Sequence, residues 1–238
     1  MRTAYTVFRN LYNVRKMTMK LVLASGSQRR RELLTMCGYD YEIIVSNADE
    51  TIDENDPESF VRALSFRKAK EVFDRLFAAG RRDFAVIGSD TVVAFQKEGE
   101  AKPVIIGKPK DAKDAVRILS MLSGKTHRVF TGVSVIADIP DENAAAQCSI
   151  REKEEIQTEC SITEVTFETL SPDEITDYVN SGDPLDKAGS YGIQGPFGMF
   201  VREIRGNYFT VIGMPIPVLY KMLKKIGILP HGFYERIE

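Results

Sequence analysis

The sequence predicts an α/β fold, one unit with a mixed central sheet flanked by helices and two lobes around a cleft. Three observations carry that expectation. Short apolar runs alternate with segments of helical period, no Ser/Gly/Pro linker is long enough to divide the chain, and no internal repeat recurs. In such a fold the chemistry belongs where strands end and loops begin.

Lys20–Ala24 is a short apolar run and reads as a buried strand. It breaks into Ser25-Gly26-Ser27, a tight turn and helix N-cap, before the helical stretch Gln28–Met36 that Gly38 stops. Tyr41–Val45 is strand-like, and Ser46–Pro57 is a polar, acidic loop. Pro57 starts a long helix over Glu58–Ala79, with Phe60, Val61, Leu64, Ala69, Val72, Phe73 and Leu76 at helical spacing. Phe84–Ile87 reads as a strand that stops at Gly88-Ser89-Asp90-Thr91 and resumes over Val92–Phe95. Gln96–Lys102 is a turn-rich excursion, and Val104–Ile106 leads to Gly107-Lys108-Pro109. Asp111–Leu122 is a helix with an acidic cap, closed by Gly124. Arg128–Asp138 and Ile162–Thr169 are expected to pair as strands, with Pro140–Glu155 an exposed loop between them. Ser171-Pro172-Asp173-Glu174 is a helix start with Ser at the cap, Pro at the first position and an acid at the third. Tyr208–Ile212 reads as a strand and Pro215–Ile226 as a closing helix.

Composition bounds the function. Hydrophobic residues make up 43% of the 238 and charged residues 28%, an ordinary globular balance. A net charge of −2 offers no basic field for genomic nucleic acid, and no apolar stretch approaches membrane-helix length. Cys37, Cys148 and Cys160 form no CxxC pair, and there are only 2 histidines, His127 and His231. A disulfide framework, a structural zinc site and a histidine-built metal centre are therefore not expected, and a cytoplasmic, reducing compartment fits. The chain carries Arg and Lys but no acid before Glu32. Residues 1–18 are expected to be a flexible basic leader; a transit peptide or a start at Met17 or Met19 stays open. Residues 19–228 then form a single catalytic domain and 229–238 a tail.

The turn Ser25–Arg31 is the most telling segment. A glycine turn between strand and helix aims backbone N–H groups at whatever sits on the helix end, which favours an anion. Arg29, Arg30 and Arg31 in the first helical turn oppose the macrodipole, which makes sense if a polyphosphate lies there. Asp90, next to a buried strand, suits a metal ligand or general base. Asp49 and Glu50 lie in a loop, Lys68 in an amphipathic helix, and Lys108 between Gly107 and Pro109, where it can act as a point charge for phosphate. The glycine-rich Asp186–Gly198 completes the set. Gly124-Lys125-Thr126 is not a P-loop, because Leu119 stands where that motif needs glycine and a helix precedes it. His127 has no acid and nucleophile beside it and reads as structural.

With these residues the sequence resembles the Maf family of nucleoside triphosphate pyrophosphatases, from about Lys20 to Ile226. The segments LASGSQRRRELL, ALSFRKA, IGSDTVV, GKP, LSGKTHRVFTGV and GDPLDKAGSYGIQG carry the resemblance. The last is similar to the subgroup acting on dTTP and UTP. The resemblance implies a mixed sheet with a deep cleft, a homodimer, Mg²⁺ or Mn²⁺, and hydrolysis to the monophosphate and pyrophosphate. It implies Asp90 as the proton acceptor for water and Glu50 as an acid serving metal or water. It implies phosphate roles for Ser25, Arg29, Lys68 and Lys108, and places Arg30, Thr91 and Gln194 near the base or in some other way tied to substrate choice. Gln28 stands where the family usually has Pro, and Ser89 where it more often has Ala. Two other readings stay open: a purine (inosine-type) triphosphate pyrophosphatase, and a nucleotide-sensing regulator without turnover.

Overall fold

The computed structural model describes residues 19–139 and 153–231. The expected leader, most of the expected loop at 140–155 and the end of the tail lie outside the described residues. Seven strands form one sheet: β1 (Lys20–Leu23), β2 (Glu42–Ile43), β3 (Phe84–Phe95), β4 (Val104–Ile106), β5 (Thr126–Ile139), β6 (Lys153–Phe167) and β7 (Val201–Arg205). The order is β2-β1-β3-β5-β6-β7, with β4 added beside β3. β1 is parallel to β2 and β3, while β3–β5, β5–β6, β6–β7 and β3–β4 are antiparallel, so the sheet is mixed.

Helices cover both faces: α1 (Gln28–Met36), α2 (Pro57–Ala78), α3 (Ala112–Leu122), α4 (Pro172–Asn180), α5 (Tyr208–Ile212) and α6 (Ile216–Lys225). Alternation along the strands sorts the core. Leu21, Leu23, Ala85 and Ile87 pack with α1 and α6 on one face, whereas Val22, Val86 and Phe84 pack under Val72 and Phe73 of α2 on the other. A separate cluster gathers the far half of β3, β4, α3 and α4 around Phe167 and Phe197. Each such buried aromatic side chain contributes about 1.5–3 kcal/mol. β3 thus runs through both lobes, paired to β1 over Phe84–Ile87 and to β4 over Val93–Phe95.

The helix signals act as the sequence suggests. Asp56 accepts from the Ser59 amide ahead of Pro57, Asp111 accepts from Asp114, and Ser171 and Glu174 form a reciprocal capping box ahead of Pro172.

Four expectations are corrected. First, β3 does not stop at Gly88–Thr91; it is one twelve-residue strand, in register with β5 from Ala85 to Ala94. Polar residues persist inside it because their side chains find partners: Ser89 Oγ donates to the carbonyls of Gly132 and Gly213, and Thr91 pairs with Thr131. Second, Tyr208–Ile212 is a helix rather than a strand. Asn207 caps it by accepting from the Phe209 amide, and Gly213 ends it at φ 107°, so local capping overrides the aromatic and β-branched composition. Third, β6 begins at Lys153, and Lys153–Glu155 are strand rather than loop. Fourth, β2 spans only Glu42–Ile43 of the expected Tyr41–Val45.

Candidate active site

A cleft of about 1120 Å³ opens between the lobes, lined from the Ser25 turn and α2 to the Lys108 loop and the segment Asp186–Gln194. Of the candidates named from the sequence, Ser25, Arg29, Arg30, Glu50, Lys68, Asp90, Thr91, Lys108 and Gln194 line it, whereas Asp49 and Arg31 do not.

The centre of the cleft is set by two glycines. A Cβ on Gly88 of β3 would lie 2.1 Å from the Ser65 carbonyl oxygen, and one on Gly132 of β5 would lie 2.2 Å from that of Val61. Their bare backbones let α2 settle directly on the sheet. Asp90 sits opposite Gly132 in the register, so this approach delivers Lys68 to it. Lys68 Nζ donates to Asp90 Oδ1 at 2.7 Å and pairs with Glu50 Oε1 at 3.0 Å. The Lys68 and Asp90 side chains are each 12% exposed, Glu50 63%. Arg67, one residue before, donates to the carbonyls of Asp49 and Thr51 and so fastens the loop that carries Glu50 onto α2. Sequence reasoning missed Arg67, whose role depends on a loop carbonyl rather than on a motif.

The three arginines part company. Arg30 is anchored: Nε donates to the Gly213 carbonyl (2.8 Å), Nη1 to Ser25 Oγ (3.0 Å) and Nη2 to Thr91 Oγ1 (3.4 Å). Burial pulls its pKa below the usual guanidinium value, with the Asp90 charge acting against that. Arg29 remains half-buried and reaches Asp186 at 3.5 Å. Arg31 borders a separate surface hollow with Thr35, Met36 and Tyr41, so it is not part of the cleft. Ser27 occupies the cap of α1 without a side-chain bond to the first-turn amides.

Across the cleft, Lys108 is exposed, and its loop is tied down by the bond from the Gly189 amide to the Gly107 carbonyl (3.0 Å). Gln194 is exposed in a turn closed by the Gly195 amide on the Gly192 carbonyl. Lys187 Nζ binds Asp183 Oδ1 and Asp186 Oδ1 at 2.9 and 2.7 Å. Burial raises the Asp186 pKa, but the Lys187 bond and charge, helped by Arg29, outweigh it and hold the carboxyl below its usual range. Tyr178, from α4, donates to Asp183 Oδ2. The glycine-rich run drew notice in the sequence; its fastening to Tyr178 could not be read there.

His127 is structural, as expected. It is 2% exposed, its Nε2 meets the Tyr191 hydroxyl at 3.0 Å, its ring stands edge-on to Phe167, and burial lowers its pKa to about 3. Gly124-Lys125-Thr126 leaves helix α3 and enters strand β5, the reverse of a phosphate loop. Among the described residues no helix is long and apolar enough to cross a membrane, and no group of three or more His, Cys, Asp or Glu could hold a metal ion.

Comparison with known proteins gives the following. The family model of Maf-like protein matches residues 20–226. A dTTP/UTP pyrophosphatase of Agathobacter rectalis is 40% identical over 217 residues, covering 88% of this chain and 98% of its own. A dTTP/UTP pyrophosphatase of Bacillus thuringiensis subsp. konkukian is 42% identical over 210 residues, covering 88% and 96%. Among solved structures, the Staphylococcus aureus Ham1 protein aligns with 86% of this chain and 98% of its own at 16% identity and a TM-score of 0.43.

Proposed function

The chain belongs to the Maf family, and from that premise we propose that it is a pyrophosphatase that hydrolyses dTTP and UTP to the monophosphate and pyrophosphate. The observation that carries this reading is the junction of Lys68 with both Asp90 and Glu50, set beside the Ser25–Arg30 turn in one cleft. Hydrolysis of a triphosphate calls for charge neutralisation and an oriented water more than for covalent chemistry. Arg29, Lys108 and the first-turn amides of α1 bind the phosphate chain, with Ser25 holding the turn in shape through Arg30. Asp90 orients the attacking water and takes its proton, and Lys68 keeps that carboxylate in place and faces the developing charge. The water oxygen bonds to the α-phosphorus as the P–O bond to the bridging oxygen breaks, and pyrophosphate leaves with that electron pair.

The donor chemistry fits a divalent ion carried in with substrate. Glu50 and Asp90 are hard oxygen donors that converge on one cationic point, and Mg²⁺ commonly takes one or two carboxylates and completes its shell with phosphate oxygens and water. Glu50 and Asp90 would hold it, and it would neutralise phosphate charge. Gln194 offers a donor and an acceptor to the 4-position and N3 of a pyrimidine, and Arg30 and Thr91, bonded to each other, line the same cleft. We propose further that the protein is a cytoplasmic homodimer, as the family resemblance implies; the free thiols of Cys37 and Cys160 suit a reducing compartment.

A panel of dTTP, UTP, CTP, ITP and GTP, with pyrophosphate detection and with and without Mg²⁺, tests the reading. Metal-dependent pyrophosphate release highest on dTTP and UTP is expected. Preference for ITP, or binding without release, would overturn it.

A further inference from the structure

An amide tells a uracil-type edge from a cytosine-type edge only if it is held one way round. The two edges exchange donor and acceptor at the 4-position and N3, and a freely turning amide satisfies both. Gln194 is an exposed side chain on a turn, so a turn held in place limits how its amide can approach a bound base.

The turn runs from Gly192 to Gly195 and is closed by the Gly195 amide on the Gly192 carbonyl at 3.2 Å. Its first residue is clasped from behind. The Gly192 amide donates to the Tyr178 hydroxyl at 3.1 Å, and that hydroxyl donates in turn to Asp183 Oδ2 at 2.5 Å. Asp183 Oδ1 accepts from Lys187, whose carbon stem lies so close that a Cβ on Gly192 would meet Lys187 Cε at 2.7 Å. Tyr178 is itself immobilised: it is 6% exposed and packs against Phe197 in the core of the second lobe. Just upstream, Ser190 holds φ 60°, a left-handed value that a non-glycine residue keeps only when its surroundings enforce it.

We propose that Tyr178 is a positioning residue for base selection: its hydroxyl, held between the Asp183 carboxylate and the Gly192 amide, fixes the Gly192–Gly195 turn so that Gln194 meets a pyrimidine in one orientation. The direction of the two hydrogen bonds is what matters. Asp183 can only accept, so the phenolic proton points to it and the oxygen is left to receive the Gly192 N–H. This inference rests on the proposed dTTP/UTP activity and on Gln194 as the group that reads the base.

Two variants test it in the full-length protein, with kcat and KM measured on UTP and CTP and thermal melting recorded alongside. Tyr178→Phe keeps the ring and removes the clasp. Asp183→Asn, with its carbonyl oxygen kept by the Lys187 ammonium, turns an amide N–H₂ toward the hydroxyl, which then accepts there and presents its proton to the Gly192 N–H. In both, the UTP-to-CTP ratio of kcat/KM should fall about tenfold, the scale of one hydrogen bond, chiefly through KM. In a Gln194→Ala background, Tyr178→Phe should leave the ratio unchanged, because the group it positions is gone. A ratio preserved in both variants overturns the inference, as does an equal loss on both nucleotides with a lowered melting temperature, which is what a structural role predicts. Wild-type protein without preference for UTP over CTP overturns the base-reading assignment and the inference with it; wild-type preference that survives both variants overturns the inference alone.

Discussion

Replacing Gly132 by alanine tests whether the catalytic centre is set by how closely α2 sits on the sheet. The new Cβ would stand 2.2 Å from the Val61 carbonyl oxygen and 2.5 Å from its carbon, and both are helix backbone with no rotamer to change. Real Cβ contacts do not fall below 3.0 Å, so α2 must retreat by at least about 0.8 Å against a close-packed interior. Lys68 lies two turns along the same helix, and the retreat stretches its 2.7 Å bond to Asp90 toward the limit of hydrogen bonding. Overpacking of this kind costs about 1–3 kcal/mol in stability. A misplacement near 1 Å in a catalytic site costs on the order of 100-fold in rate. Urea unfolding gives the first number, and pyrophosphate release from dTTP, corrected for the folded fraction, gives the second. A Gly132→Ala protein with wild-type stability and a rate within about twofold of wild type would refute the argument that this glycine positions Lys68.

Two further predictions concern Gln194 in the cleft and His127 in the core. Gln194→Ala should raise KM for UTP and broaden base choice while pyrophosphate release persists; unchanged selectivity across the nucleotide panel would remove Gln194 from base recognition. His127 predicts a slope of stability with pH. Its folded pKa is lowered to about 3 by burial, against about 6.5 when unfolded, so the unfolded chain takes up a proton that the folded chain refuses as pH falls below about 6.5. Stability from this group is therefore complete above that pH and falls by about 1.4 kcal/mol per unit below it, about 2 kcal/mol between pH 7 and pH 5. Urea melts of His127→Gln should lack that part of the wild-type loss; parallel wild-type and variant curves would contradict it.

What could be read from the sequence was whatever acts over a few residues. Asp56-Pro57 and Ser171-Pro172 mark helix starts because a cap needs only an acceptor and the next turn's amides. The cleft residues were identifiable because each stands in a short motif with a charge or glycine at a fixed offset. The sequence pattern puts Asp90 after a strand end, whereas it lies inside β3. The run Gly88-Ser89-Asp90-Thr91 looks like a loop until Gly132, Gly213, Lys68 and Arg30 arrive to satisfy it, and these come from distant parts of the chain. Tyr208–Ile212 failed for a related reason: five residues are too few for periodicity to decide, and Asn207 and Gly213 settle the matter. The clasp of Tyr178 on Gly192 and the bond of Arg67 to the Glu50 loop involve backbone groups, which a sequence does not distinguish.

Asp90→Asn measures the central claim most directly, because it keeps the shape of the side chain and an oxygen for Lys68 while removing the proton acceptor. Pyrophosphate release from dTTP should fall at least about 100-fold with nucleotide binding retained, the lower end for loss of a general base. Release at the wild-type rate would contradict the mechanism.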